Sequence, residues 1–284
     1  MDDCLSVIFT FFDVDTLITC FLVNKKFSAL SHQDGYWQHH LQSTWFPCQK
    51  NIFNHYRNSV QCQQFIKTHQ FQLIETLDLS HQHITQLPPA LNVLKNLKTL
   101  GLSHNQITTL PVEWSVMSLQ TINLSHNQIT TLPTEWSVMP LQRIGLSHNH
   151  ITTLPVAWSV MPLQKINLSH NHITTLPVEW SVIPLKTIDL SHNDITTLPV
   201  EWGKMPLQWI DLSHNDITNL PAEWSVMPLN IIHLSHNHIT TLPVEWGKML
   251  LLWIDLSHNG ITTLPVEWED LHVLKRIKLN DDIL

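Results

Sequence analysis

Histidine dominates the chemistry on offer. A file of nine recurs along the chain at His81, His104, His126, His148, His170, His192, His214, His236 and His258. Four copies add a second imidazole two residues on, at His83, His150, His172 and His238. Neutral imidazoles at strand spacing could bind zinc or copper, or titrate near pH 6.5 as a mutually repelling column. A metal site, however, needs a closed ligand set held by surrounding hydrogen bonds, which an open column does not supply. The reading is therefore no metal and no cofactor. Serine precedes each histidine of the file, which raises nucleophilic catalysis. Adjacent residues of one strand face opposite sides, so such a pair cannot act together. No glycine-rich phosphate loop, G-x-S-x-G or H-E-x-x-H occurs. No enzyme is expected.

The histidines ride on a repeat. From Ile74 onward the run Leu-Ser-His-Asn recurs, with its Asn at Asn105, Asn127, Asn149, Asn171, Asn193, Asn215, Asn237 and Asn259, always 22 residues apart. Gln82 holds that place in a first copy, and a degenerate last copy spans Leu274 to Asp282. The unit reads L-x-x-I-x-L-S-H-N-x-I-T-T-L-P-V-E-W-S-V-M-P, as Leu163 to Pro184 shows with Ile183 in the Met place. One copy cannot bury Leu163, Ile166, Leu168 and Ile173 by itself, whereas stacked neighbours share one core. An amide at Asn171 can satisfy the backbone where the chain turns off the strand. Leu-Pro after that turn, and Met-Pro or Ile-Pro before the next strand, predict extended or turn-like segments rather than long helices.

The nine successive copies resemble the leucine-rich repeat family, whose signature is L-x-x-L-x-L-x-x-N-x-L. The resemblance implies an α/β solenoid, a horseshoe with a parallel sheet lining its concave face. Eight Trp, from Trp114 to Trp268 in steps of 22, stand where that family usually has Leu. They read as a packed convex ladder, partly exposed because each indole N–H needs a partner; a binding stripe is the alternative.

The frame barely varies between copies. Variation gathers at the residue after the Asn and at the two strand positions flanking the inward Ile or Leu, which point onto the concave surface. There Trp209, Ile231 and Trp253 form an apolar strip, beside Asp189, Asp211, His233 and Asp255, with Asp194 and Asp216 on the adjoining edge. Aromatic anchors ringed by acids suit a protein ligand that is basic and partly apolar. The alternative is drift among recently duplicated copies, with no ligand.

Residues 1–72 do not repeat and hold all four cysteines. Apolar spacing at Leu5, Ile8, Phe9 and Phe12 fits a short amphipathic helix, and a second carries Leu17, Ile18, Phe21 and Leu22. The run I-F-x-F-F-D at Ile8 to Asp13, L-V-N-K-x-F at Leu22 to Phe27, and Trp37 resemble the F-box. That family usually opens on Leu-Pro, where this chain has Met1-Asp2-Asp3-Cys4. The resemblance implies docking onto a Skp-type adaptor of cullin-RING ubiquitin ligases, with the repeats selecting the substrate. Leu5, Ile8, Phe9, Leu17, Leu22, Val23 and Phe27 would then face the adaptor or pack behind it. The organisation expected is an F-box-like helical region (1–45), a helical linker or cap (46–72) and the repeats (73–284).

Charged residues are 13% of the chain, against about 25% in an average domain, and the formal charge is −8 with no block of one sign. That argues against nucleic acid or an anionic membrane as partner. No stretch approaches the roughly 20 apolar residues of a membrane span. Asp2 and Asp3 stand where a signal peptide would be basic, so an intracellular location is expected, cytoplasmic or nuclear and not secreted. The function expected is a protein–protein interaction module, the substrate-recognition subunit of a Skp–cullin–F-box type ligase. A free-standing scaffold, or a decoy that occupies the adaptor, is the alternative.

Overall fold

A computed structural model describes residues 75–87, 89–268, 277–279 and 282–283. The F-box-like region with its seven adaptor-facing residues, and the linker to residue 72, lie outside the described residues. Eleven strands form one sheet in chain order. They are β1 (Thr76–Asp78), β2 (Thr99–Gly101), β3 (Thr121–Asn123), β4 (Arg143–Gly145), β5 (Lys165–Asn167) and β6 (Thr187–Asp189). Then follow β7 (Trp209–Asp211), β8 (Ile231–His233), β9 (Trp253–Asp255), β10 (Ile277–Leu279) and β11 (Asp282–Ile283). The first ten run parallel, each paired with the copies on either side. The middle residue of each of β1 to β9, such as Ile166 or Ile210, is buried, and its two flanks face outward.

Each return segment holds one 3-10 turn, as the prolines foretell. In Val178–Val182 the Pro177 carbonyl accepts from Trp180 N at 3.2 Å and the Trp180 carbonyl from Ile183 N at 2.9 Å. Pro184 then forces Ile183 into an extended conformation (φ −69, ψ 138), and the turn stops.

The tryptophans depart from the expectation of partial exposure. Trp114, Trp136, Trp158, Trp180, Trp202, Trp224 and Trp246 are fully buried. From Trp136 to Trp268 the partner that the indole needs is the proline carbonyl of the preceding copy: Trp180 Nε1 donates to Pro155 O at 3.1 Å and Trp202 Nε1 to Pro177 O at 3.0 Å. One carbonyl thus closes the turn of its own copy and receives the indole of the next.

Ring spacing gives the curvature. Equivalent tryptophan rings in successive copies lie 6.2 Å to 6.5 Å apart, as in Trp114–Trp136 and Trp158–Trp180. Equivalent histidine rings at the sheet edge lie 4.0 Å to 4.3 Å apart. Strands pair at about 4.8 Å. Copies therefore splay on the tryptophan side and converge on the histidine side, and the sheet is concave.

At the far end β10 keeps register with β9, as a degenerate last copy should. The chain then reverses, and β11 pairs antiparallel with β10 through Lys278 and Ile283. That strand was not expected. It covers an edge that would otherwise present unpaired backbone.

Candidate binding face and the histidine ladder

The Asn column is the frame that holds the face in shape. Asn171 is buried, and its Nδ2 donates to Leu146 O at 3.0 Å and Leu168 O at 2.9 Å. Its Oδ1 accepts from Ile151 N at 3.0 Å. Leu146 and Ile151 belong to the preceding copy, so each amide stitches two copies together. The pattern repeats at Asn105, Asn127, Asn149, Asn193, Asn215, Asn237 and Asn259. In the first copy the Gln82 side chain donates only to Ser80 O among the described residues, while its backbone N donates to Asn105 Oδ1 at 3.0 Å.

The histidines of the file sit just beyond the strands, not on them. All have positive φ, 54° to 58°, the left-handed region that His enters more readily than most residues. Strand alternation therefore does not apply to them, which corrects the argument that set Ser and His on opposite faces. In three copies the serine hydroxyl is instead spent on an acid of its own strand. Ser191 Oγ donates to Asp189 Oδ1 at 2.8 Å, and Ser213 Oγ and Ser257 Oγ donate to Asp211 and Asp255 at 2.6 Å. From His81 to His236 the histidine backbone N–H extends the sheet ladder, as His170 N does to Ser191 O at 2.9 Å.

The left-handed turn throws the imidazoles into one continuous stack, from His81 to His258, with interplanar angles of 9° to 15°. Parallel rings direct their nitrogens along parallel lines and not at a common point. Among the described residues no group of three or more His, Cys, Asp or Glu is placed to hold a metal ion. Burial, then the neighbouring imidazoles, hold His104, His126 and His148 below the usual histidine range. His192 and His236 are lowered likewise, against opposing pulls from Asp189 and Asp211 on the first and Asp255 on the second, while Lys278 lowers His236 further. A histidine pKa that is lower folded than unfolded means that the unfolded chain binds more protons. The stability it confers is present above the unfolded pKa near 6.5 and is lost progressively as pH falls from that value through the lowered folded one. The melting temperature should therefore fall between pH 7.5 and pH 5.5, by about 2–4 °C per kcal/mol lost. An unchanged value would show that the stack tolerates its charge.

On the concave face the strip is placed as the spacing predicts. Trp209 pairs with Ile231 and Ile231 with Trp253 across β7, β8 and β9, all half-buried. The ring of His233 lies 5.9 Å from that of Trp209 at a 58° tilt, and so props it. Leu252, exposed just before Trp253, enlarges the apolar area and was missed. Asp189, Asp211, His233 and Asp255 line up in the second column. These acids also serve the fold: Oδ1 of each Asp accepts from the backbone N–H two residues on, as from Ser191 N and Ser213 N. Asp255 is further engaged by Lys278 at 3.6 Å, and its serine bonds and that cation hold its carboxyl below the usual range against the opposing effect of burial. Asp189 and Asp211 keep a second oxygen free of hydrogen bonds among the described residues. On the adjoining rim a trench of about 410 Å³ runs between the stack and the row after the Asn, lined by His214, His236, His258, Asp194, Asp216 and His238. Asp216 meets His238 there at 3.3 Å.

The leucine-rich repeat profile matches residues 72–129, 96–151, 117–173, 161–217 and 227–284. The chain belongs to the leucine-rich repeat family. Domains of this family are generally binding scaffolds without catalysis, and this one is a scaffold for protein–protein interaction. No curated protein matches the sequence. Solved leucine-rich repeat structures do. A plant peptide hormone receptor, RGFR1 in complex with RGF2, aligns with TM-score 0.59 and 25% identity over 69% of this chain. The chain spans 33% of that receptor. Internalin InlF of Listeria monocytogenes aligns with TM-score 0.61 and 18% identity, over 74% of this chain and 68% of its own. The leucine-rich repeat domain of APL1B gives 0.61 and 21%, over 78% and 68%.

Proposed function

We propose that the repeats select a protein substrate for a Skp–cullin–F-box type ubiquitin ligase, with residues 1–45 docking the adaptor. The observation that carries the recognition half is the half-exposed strip Trp209, Ile231 and Trp253, in register beside Asp189 and Asp211. Aromatic anchors with uncompensated acids suit a basic, partly apolar protein segment. The ligase half rests on the F-box-like runs Ile8 to Asp13 and Leu22 to Phe27. An intracellular location belongs to the same proposal. One observation favours a second reading, a free-standing scaffold or an adaptor-occupying decoy: Met1-Asp2-Asp3-Cys4 replaces the Leu-Pro that usually opens an F-box.

Co-purification with a Skp-type adaptor tests the ligase half. The full chain should retain the adaptor, and a Leu22→Asp/Phe27→Asp variant with unchanged circular dichroism should not. A wild-type chain that fails to bind ends the ligase reading and leaves the repeats as a scaffold.

A further inference from the structure

The concave face carries a second feature at its other end. Arg143 and Lys165 are exposed and lie side by side, paired in register across β4 and β5. Like charges directly opposite on neighbouring strands destabilise a sheet. The frame does not demand them, since Thr76, Thr99, Thr121 and Thr187 fill the same column in other copies. Two other lysines by the sheet are paired: Lys98 meets Glu75 at 2.7 Å and Lys278 meets Asp255 at 3.6 Å. Arg143 and Lys165 have no carboxylate partner among the described residues. The second column beside them is Gly145 and Asn167, without charge. Lys186, exposed just ahead of β6, adds a third cation.

The face is thus dipolar, positive over β4 and β5, apolar and acidic over β7 to β9. We infer that its ligand is an extended peptide segment lying across the strands, with an acidic residue over Arg143 and Lys165 and an aromatic or aliphatic residue flanked by Lys or Arg over Trp209, Ile231 and Trp253. This rests on reading the concave face as the recognition surface and gives it a polarity. From β5 to β8, the centre of the strip, is three strand steps, about 14 Å at 4.8 Å each, which four or five extended residues span at roughly 3.3 Å apiece. The trench beside Asp194 and Asp216 is where the basic side chain of such a segment would end. A peptide positive throughout would meet Arg143 and Lys165 unfavourably, and one acidic throughout would meet Asp189 and Asp211. The charge pattern therefore selects orientation as well as composition.

The test is selection of a random dodecapeptide display library on the full-length protein, followed by fluorescence anisotropy with the enriched peptides. Enriched sequences should carry Asp or Glu four or five residues from an aromatic or Leu that adjoins Lys or Arg. Arg143→Glu/Lys165→Glu should weaken them at least about tenfold, the scale of one or two charge-assisted contacts. Exchanging the peptide's acid for Lys should restore binding to that variant. Trp209→Ala/Trp253→Ala should abolish binding of both peptides, with circular dichroism unchanged. Enriched peptides lacking the acid, or equal binding by the Arg143→Glu/Lys165→Glu variant while the tryptophan variant still fails, overturn the polarity and leave the apolar site standing. No enrichment, or indifference to both variants, overturns the polarity together with the concave site.

Discussion

Full-length protein carrying Trp180→Ala unfolds at lower urea than the wild type, with about 3–5 kcal/mol of stability lost. Trp180 is fully buried and stacks on Trp158 at 6.5 Å, so its removal leaves a cavity walled by a ring that cannot follow it inward. The loss is mostly cavity. Pro155 O keeps its donor from its own copy, Trp158 N at 3.1 Å, when the Trp180 indole is gone. Trp180→Phe, which retains a ring but no N–H, should consequently lose less than half as much. Stability in a solenoid is a sum over copies and their interfaces, so a deep defect in a central copy can also split the transition in two. A urea midpoint equal to the wild type at unchanged m would show that the indole column bears no weight.

The second large effect belongs to the Asn column. Asn171→Ala orphans one buried backbone group, Ile151 N–H, and takes one of two donors from each of Leu146 O and Leu168 O, which keep Asn149 Nδ2 and Asn193 Nδ2. At about 1–3 kcal/mol for the orphaned N–H and about 0.5–1.5 kcal/mol for each of the two other bonds, the expected loss is about 2–6 kcal/mol. Asn171→Asp separates shape from hydrogen bonding. The carboxylate has the same outline and still accepts from Ile151 N, but it turns lone pairs toward two carbonyl oxygens. At neutral pH it should cost at least as much as alanine. If the aspartate variant matched the wild type in thermal melting, outline would matter at this position and donation would not.

Much of the fold was legible because the repeat is so regular. A 22-residue step that returns Ile to the same place puts Ile166, Ile188 and Ile210 in one buried row, and it also places Trp209 beside Ile231. What stayed hidden lies between copies at offsets other than 22. The indole of Trp180 finds its acceptor 25 residues back, and no inspection of a single unit reveals that bond. Partial exposure was the natural inference for a donor with no visible partner. The left-handed histidines were missed for a different reason: a strand reading was carried one turn too far. The double service of the acids could have been seen. Asp or Asn stands two residues before Ser in six copies, the spacing of a side chain that accepts from its own turn, as at Asp189 and Asn167. The closing strand β11 had only a weak signal, the Asn280-Asp281 pair separating the strand residues Leu279 and Asp282.

The interior hydrogen bonds of the side-chain ladders all point one way. Asn193 reaches back to Leu168 O, and Trp202 to Pro177 O, while no ladder Asn or Trp reaches forward among the described residues. Each copy's carbonyls are therefore capped by side chains of the copy that follows it in the chain. After β10 the described chain turns back as β11 instead of adding another parallel strand. The short reversed strand is what ends the queue.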